Sequence, residues 1–241
     1  MQIEFLNSYD ELSLKAEEFI SESIHHKKNL LLCAATGNSP TETYRLLADN
    51  YRKNPALFSQ IRVIKLDEWG GIQPEQEGSC ELYLQNHLLQ PLQIPEDRYI
   101  GFNSNPENPQ EECKRISNLL EEEGPIDLCI LGLGSNGHLA LNEPADFLHA
   151  ECHVAQLAPT SLKHKMTSGM NRKPAYGLTL GMADILHSKK ILILITGAGK
   201  SKMTRELLSR KISSKLPASF LWLHPDVLCL IDRETVEPES E

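Results

Sequence analysis

The sequence predicts an α/β chain: a doubly wound, mostly parallel sheet with helices on both faces, Rossmann-like and built as a single domain over residues 1–241. Short apolar runs alternate with segments of helical period, the signature of βαβ units. The apolar runs are continuous rather than alternating, as strands covered on both faces are. A chain of 241 residues that is 40% hydrophobic and 24% charged has material for one sheet-centred core, which excludes a largely disordered polymer.

In chain order, the strand-like runs are NLLLCAA (29–35), IRVIKL (61–66), IDLCILGL (126–133), KKILILIT (189–196) and VLCLID (227–232). Between them lie helical segments such as SPTETYRLLADNY (39–51) and GKSKMTRELLS (199–209). No internal repeat or Pro/Gly-rich linker interrupts this order, and the tail after Asp232, RETVEPESE, reads as frayed and solvated. With fewer than 30 residues before the first of these runs, no attached helix-turn-helix is expected.

A net charge of −9 and a pI near 5.5 exclude a phosphate-tracking nucleic-acid surface, so any anion site must be local. The opening MQIEFLNSYDEL has neither a basic n-region nor a long apolar core, and no stretch is long enough to span a membrane. A cytoplasmic protein is therefore expected, with a homo-oligomer allowed but not specified. Three of the six cysteines, Cys33, Cys129 and Cys229, lie inside apolar runs and none belongs to a CxxC pair, so all read as reduced thiols, mostly buried.

In doubly wound folds ligands sit outside the carboxyl ends of the strands, which directs attention to the exit loops. The first run leaves into Thr36, Gly37, Asn38 and Ser39, with a helix beginning near Thr41. Glycine, small hydroxyl groups and a helix start suit an anion, although an ordinary capped turn has the same composition. The next run leaves into Asp67-Glu68-Trp69-Gly70-Gly71, two carboxylates at one mouth of the sheet. A carboxylate beside an apolar aromatic can be raised in pKa and shuttle protons, and a turn-starting Asp with a solvated Glu is the plainer reading.

The longest glycine-bearing loop runs from Gly132 through Gly134, Ser135, Asn136, Gly137 and His138 to Asn142, Glu143 and Pro144. It delivers His138 and Glu143, five residues apart, to the same crevice as an orienting and proton-transfer pair. The loop lacks the third glycine and downstream acid of a dinucleotide fingerprint, so no nicotinamide cofactor is expected. The run 189–196 leaves into Gly197-Ala198-Gly199-Lys200-Ser201, where Lys200 can set a point charge beside a helix start. No residue spacing matches a zinc or calcium site, and neither metal nor organic cofactor is expected. His25, His26, His87 and His187 read as surface residues.

The ordered motifs TGNSP, LDEWGG, GLGSNGHLALNEP and TGAGK resemble the glucosamine-6-phosphate deaminase/6-phosphogluconolactonase superfamily across nearly the whole chain. Gly-His followed by Asn-Glu-Pro is similar to its deaminase branch. The combination LDEW, NGHLALNEP and PASFLWLH is most similar to galactosamine-6-phosphate deaminase/isomerases. The resemblance implies conversion of galactosamine 6-phosphate to tagatose 6-phosphate and ammonia without a cofactor. Glucosamine 6-phosphate giving fructose 6-phosphate is the alternative, and a lactonase-like hydrolase or a sugar-phosphate sensor stands further off.

By that resemblance Asp67 moves a proton between carbons 2 and 1, and His138 with Glu143 assists ring opening. Thr36, Gly37, Asn38, Ser39, Glu68, Gly134 and Lys200 bind substrate. Two departures stand out. Asn136 occupies a position where the family usually has Asp, removing a charge beside the histidine. The segment Ser161-Leu162-Lys163-His164-Lys165-Met166, with Arg172 beyond it, offers no clear equivalent of the family's second phosphate-binding arginine. The stretch ADFLHAECHVAQ lacks the basic residues of allosterically activated members.

Overall fold

The computed structural model describes residues 1–159, 161–163 and 165–236. The chain runs β1 (Gln2–Leu6), α1 (Tyr9–His26), β2 (Leu31–Ala34), α2 (Asn38–Lys53), β3 (Arg62–Lys65), β4 (Asp67–Gly70), α3 (Cys80–Leu84), β5 (Tyr99–Ile100) and α4 (Pro109–Glu123). It continues through β6 (Leu128–Gly132), β7 (His153–Ala155), α5 (Lys165–Ser168), β8 (Tyr176–Thr179), α6 (Met182–Leu186), β9 (Lys190–Ile195), α7 (Ser201–Leu208) and β10 (Val227–Asp232). Among the described residues, seven strands form a wholly parallel sheet in the order β1-β10-β9-β6-β2-β3-β5. This is the doubly wound fold the sequence predicts.

The continuous apolar runs end up where both faces are covered. Leu31, Leu32, Cys33 and Ala34 of β2 and Ile191 to Ile195 of β9 are completely buried. Each such Leu or Ile contributes about 1.5–3 kcal/mol relative to an exposed one. Helix α1 shows how a local pattern selects its face. Ser8 caps it by accepting from the Glu11 N–H, Asp10 and Glu11 favour its positive end, and Leu12, Ala16, Ile20 and Ile24 bury one stripe.

The strand order reverses at β2. The chain moves outward from β2 to β3 and β5, then returns through β6 on the other side of β2 toward β9 and β10. Right-handed crossovers put the connecting helices of the two directions on opposite faces. A crevice therefore opens outside the carboxyl ends of β2 and β6, where the connections diverge, and this topological switch point is where such sheets accept ligands. The connections leaving β2 and β6 carry Thr36 to Ser39, of which Asn38 and Ser39 already open α2, and Gly134 to Glu143.

Several expectations are corrected. The opening residues form β1, an edge strand paired with β10, and they hold no long apolar run because an edge strand is only half covered. Helix α2 begins at Asn38 rather than near Thr41, since Gly37 turns the chain sharply at φ 94°. The stretch Asp67–Gly70 is a strand, not a loop. It pairs antiparallel with β8 in a second sheet of order β4-β8-β7 that the sequence reading did not foresee. Part of the supposedly frayed tail is ordered: Asp232 caps a 3-10 turn over Arg233–Thr235 and Thr235 is buried. Residues 237–241 lie outside the described residues.

All six cysteines are free thiols, and only Cys152 is less than fully buried. His25, His26 and His187 are exposed, whereas His87 is half-buried against the Tyr83 ring at 4.5 Å between centroids. No helix among the described residues is long and apolar enough to cross a membrane.

Candidate active site

Strand β4 brings Asp67 to the crevice. Alternation along the strand sends Asp67 and Trp69 to one face and Glu68 to the other. Asp67 is 9% exposed, and burial, reinforced by the neighbouring Glu68 charge, raises its carboxyl to about 7 against the lowering pull of His138 and Lys65. A carboxyl with that value takes and returns protons readily at neutral pH.

Glu68 does not reach the crevice, which corrects its placement among substrate-binding residues. It is fully buried, and one oxygen accepts from the backbone N–H groups of Trp69 and Cys80 at 2.8 and 2.9 Å. The other accepts from the Glu81 N–H and from Lys65 Nζ, both at 2.8 Å. Lys65, also fully buried, bonds Glu81 at 2.6 Å and the Phe102 carbonyl at 3.1 Å. Every lone pair of Glu68 is thus engaged in tying β4 to the first turn of α3, so its charge is structural and shapes Asp67 from behind.

The β6 loop supplies the opposite environment. Glu143 Oε2 accepts from Asn136 Nδ2 at 2.8 Å and faces His138 Nδ1 at 3.3 Å. Its Oε1 accepts from the Ser161 hydroxyl and from the Ala158 N–H at 3.4 Å. Burial alone would raise Glu143, but the hydrogen bonds and charge of His138 with those of Ser161 and Asn136 outweigh it and bring the carboxyl to about 2. With Nδ1 turned to Glu143, the imidazole leaves Nε2 as its second site of proton exchange. Glycine at 134 makes room for the imidazole: a Cβ there would lie 2.3 Å from the His138 ring. Asn136 also accepts from the His138 backbone N–H at 3.2 Å, fixing the loop on both sides of the ring.

The third part of the site lies where α2 and α7 begin. Helices α1 and α4 have side-chain caps and acidic residues in the first turn. Helices α2 and α7 have neither, starting after Gly37 and Lys200 with no side-chain cap and no acid. Their first N–H groups and positive dipole ends suit an external anion. The two starts meet: Lys200 Nζ lies 3.3 Å and Thr196 Oγ1 3.4 Å from Ser39 Oγ. Burial lowers the Lys200 ammonium to about 8, a cost that a bound anion would relieve. Gly197 and Gly199, at φ 89° and 81°, let the loop present Lys200 this way.

Of the residues expected from sequence, Asp67, His138, Glu143 and Asn136 converge on the switch-point crevice, as do Thr36 to Ser39 and Lys200. His164 lies outside the described residues. Sequence reasoning missed Cys80, whose thiol donates toward Asp67 Oδ1 at 4.0 Å while accepting from Thr36 Oγ1 at 3.4 Å. A cysteine behind the Ser79 helix cap gives no signal in sequence that it turns toward a carboxylate 13 positions earlier. Ser161 and the Ala158 N–H, the partners of Glu143, were likewise not assigned to it. Among the described residues no group of three His, Cys, Asp or Glu side chains is arranged to hold a metal.

An anion cradle and separated proton-transfer groups at one switch point define a class of site for phosphorylated small molecules. Comparison with known proteins is specific about the family. The chain belongs to the glucosamine-6-phosphate isomerases/6-phosphogluconolactonase family, whose pattern matches residues 7–229. It is 42% identical over 227 residues to "Putative deaminase AgaI" of Escherichia coli (strain K12), covering 94% of this chain and 90% of that protein. It is 36% identical to a glucosamine-6-phosphate deaminase of Bacillus pumilus (strain SAFR-032), covering 93% and 94% of the two chains. The solved structure of a monomeric glucosamine-6-phosphate deaminase superimposes with a TM-score of 0.91 at 33% identity, covering 97% of this chain and 98% of that one. The 6-phosphogluconolactonase of Trypanosoma brucei, at 22% identity and a TM-score of 0.73, shares the fold.

Proposed function

We propose that the chain is an aldose-ketose isomerising deaminase that converts galactosamine 6-phosphate and water into tagatose 6-phosphate and ammonia. The observation that carries the reading is the meeting of two uncapped helix starts at Ser39 and Lys200, in the crevice that also receives Asp67 and the His138–Glu143 pair. That arrangement would fix the phosphate at one end and leave the first carbons of the opened sugar near the proton-transfer groups.

His138, oriented by Glu143, would move the proton between the ring oxygen and the C1 hydroxyl as the ring opens. Asp67 would then take the proton from C2 and return it to C1. The C2 amine carries the electron pair through an enolamine to a ketimine, while the C1 carbonyl becomes a hydroxyl. Water adds to the ketimine carbon and ammonia leaves, so atoms balance with the substrate's own nitrogen as the electron relay. A value near 7 for Asp67 suits a group that must act as base and acid within one turnover.

The galacto assignment rests on the LDEW, NGHLALNEP and PASFLWLH motifs together with the 42% identity to a protein named a deaminase. The relatives named glucosamine-6-phosphate deaminases keep glucosamine 6-phosphate as the alternative substrate. The test is kcat/KM for ammonia release from the two epimers. A higher value for glucosamine 6-phosphate would transfer the assignment to it, and ammonia from neither would remove the deaminase reading.

A further inference from the structure

Asp67 differs from every other carboxylate of the site in how lightly it is held. Among the described residues, the Cys80 thiol is the sole hydrogen-bond donor reaching its side chain, at 4.0 Å. The thiol is in turn placed by two independent devices. Thr36 Oγ1 donates to Sγ at 3.4 Å, which leaves the S–H proton for Asp67. The backbone N–H groups of Cys80 and Glu81 are both anchored on Glu68, so the α3 turn carrying the thiol is fixed to the strand carrying Asp67. Cys80 is 1% exposed, and burial with the charges of Glu68 and Asp67 holds its thiol far above the usual range. It therefore stays protonated, a donor and not a nucleophile.

We propose that Cys80 is a positioning residue for Asp67: its thiol, oriented by Thr36, holds the carboxylate in place with a donor weak enough to leave the carboxyl easy to protonate. The inference rests on the assignment of Asp67 as the proton-transfer group. Glu143 shows the alternative outcome, since donors on both its oxygens stabilise the ionised form strongly. An Asp67 held that way would be too weak a base to remove a carbon-bound proton. A thiol gives direction with little stabilisation of charge. The other groups acting on Asp67 from the surrounding elements are Glu68 of β4, His138 of the β6 loop and Lys65 of β3. Glu68 and Lys65 are held by backbone and ion-pair contacts that do not involve the Cys80 side chain.

The test follows Asp67 itself. Carboxyl infrared spectra of wild type minus Asp67→Asn isolate the Asp67 titration, and the same difference taken in a Cys80→Ala background is expected to show its midpoint raised by about half a pH unit. The acid limb of kcat should follow in the same direction with KM changed less than about twofold. A second measurement needs no alanine variant. The S–H band isolated as wild type minus Cys80→Ser should shift with the same midpoint as the Asp67 carboxyl. An Asp67 midpoint unmoved in folded Cys80→Ala, or an S–H band indifferent to Asp67 ionisation, overturns the role of Cys80. Turnover surviving in Asp67→Asn would instead overturn the assignment of the base, so the two failures are distinguishable.

Discussion

Asp67 and Glu143 share a crevice and a functional group, yet the strand and the loop that carry them drive them apart. Burial and the Glu68 charge lift Asp67 to about 7, while burial of Glu143 is outweighed by His138, Ser161 and Asn136, which bring it to about 2. Burial raises both acids, and what separates them is the like charge of Glu68 beside Asp67 and the donors and cationic partner around Glu143. The β4 edge withholds donors and the β6 loop supplies them, so one carboxylate can exchange protons at neutral pH and the other serves as a fixed negative charge. Two acids pushed in opposite directions within one site are how a fold assigns distinct roles to chemically equal groups.

The largest expected effect comes from removing the exchangeable member. Asp67→Asn keeps the shape and loses the proton, and kcat should fall by about 10²-fold or more with KM nearly unchanged. Steady-state kinetics on the phosphorylated substrate check this, and a variant keeping more than about a tenth of the wild-type kcat would break the contrast.

The same contrast has a thermodynamic form with opposite signs. Asp67 has a raised folded value, so its contribution to stability is intact below the unfolded value of about 3.9 and is lost as pH rises toward 7. Asp67→Asn should then be more stable than wild type at pH 8, by on the order of 4 kcal/mol at most, with the advantage vanishing near pH 4. Glu143 has a lowered folded value, so its contribution is present above about 4.3 and is lost as pH falls toward 2. Glu143→Gln should be the less stable protein at pH 7 and converge on wild type in acid. Thermal melts across pH read both, and parallel curves for the two variants would show that the environments are not opposed.

At the anion end the expected change is in binding. Lys200→Ala should raise KM by about tenfold or more for phosphorylated substrate, as a lost charged hydrogen bond does, while kcat changes little. Because burial holds Lys200 near 8, the wild-type KM should climb above that pH, and the climb should be missing in the variant. Equal losses on phosphorylated and free sugar would mean that Lys200 only shapes the loop.

The five inner strands of the large sheet, β10, β9, β6, β2 and β3, were legible because strands buried on both faces are continuous apolar runs, whereas the half-covered edge strands β1 and β5 were not. Nor was the small sheet. Its strands are three or four residues long, and Asp67-Glu68-Trp69-Gly70 contains two acids and a glycine that ordinarily mark a turn. They form a strand because Lys65 neutralises Glu68 from within and Gly70 lets Tyr176 of β8 pack across it, where a Cβ would lie 2.0 Å from the ring. A pattern compensated by a residue elsewhere in space has no local signature. The same holds for Cys80, legible as a buried thiol by type but not as a neighbour of Asp67. Asp67, His138 and Glu143 could be picked out in advance because they sit at strand exits, whereas Glu68 next door shows that adjacency in sequence does not share a face.

The smallest expected effect probes the donor that Glu143 owes to Asn136. The amide uses both ends, giving Nδ2–H to Glu143 Oε2 at 2.8 Å and accepting the His138 N–H at 3.2 Å. In Asn136→Asp one oxygen can keep the bond to the His138 N–H, but the other meets Glu143 as a second negative charge. Glu143 loses a donor and gains a repulsion, and the imidazole of His138 gains a counter-charge. Both changes increase the proton affinity of the His138–Glu143 pair, so the acid limb of kcat/KM should move to higher pH by about a unit, a value belonging to the pair rather than to either residue. The Asp67 carboxyl, on β4 and reached by Cys80 of α3, should shift less, and its infrared titration provides the reference. If the limb stays in place while the variant folds and melts like wild type, Asn136 acts only through the backbone of its loop, and Glu143 owes its low value to its other partners, His138 and Ser161 foremost.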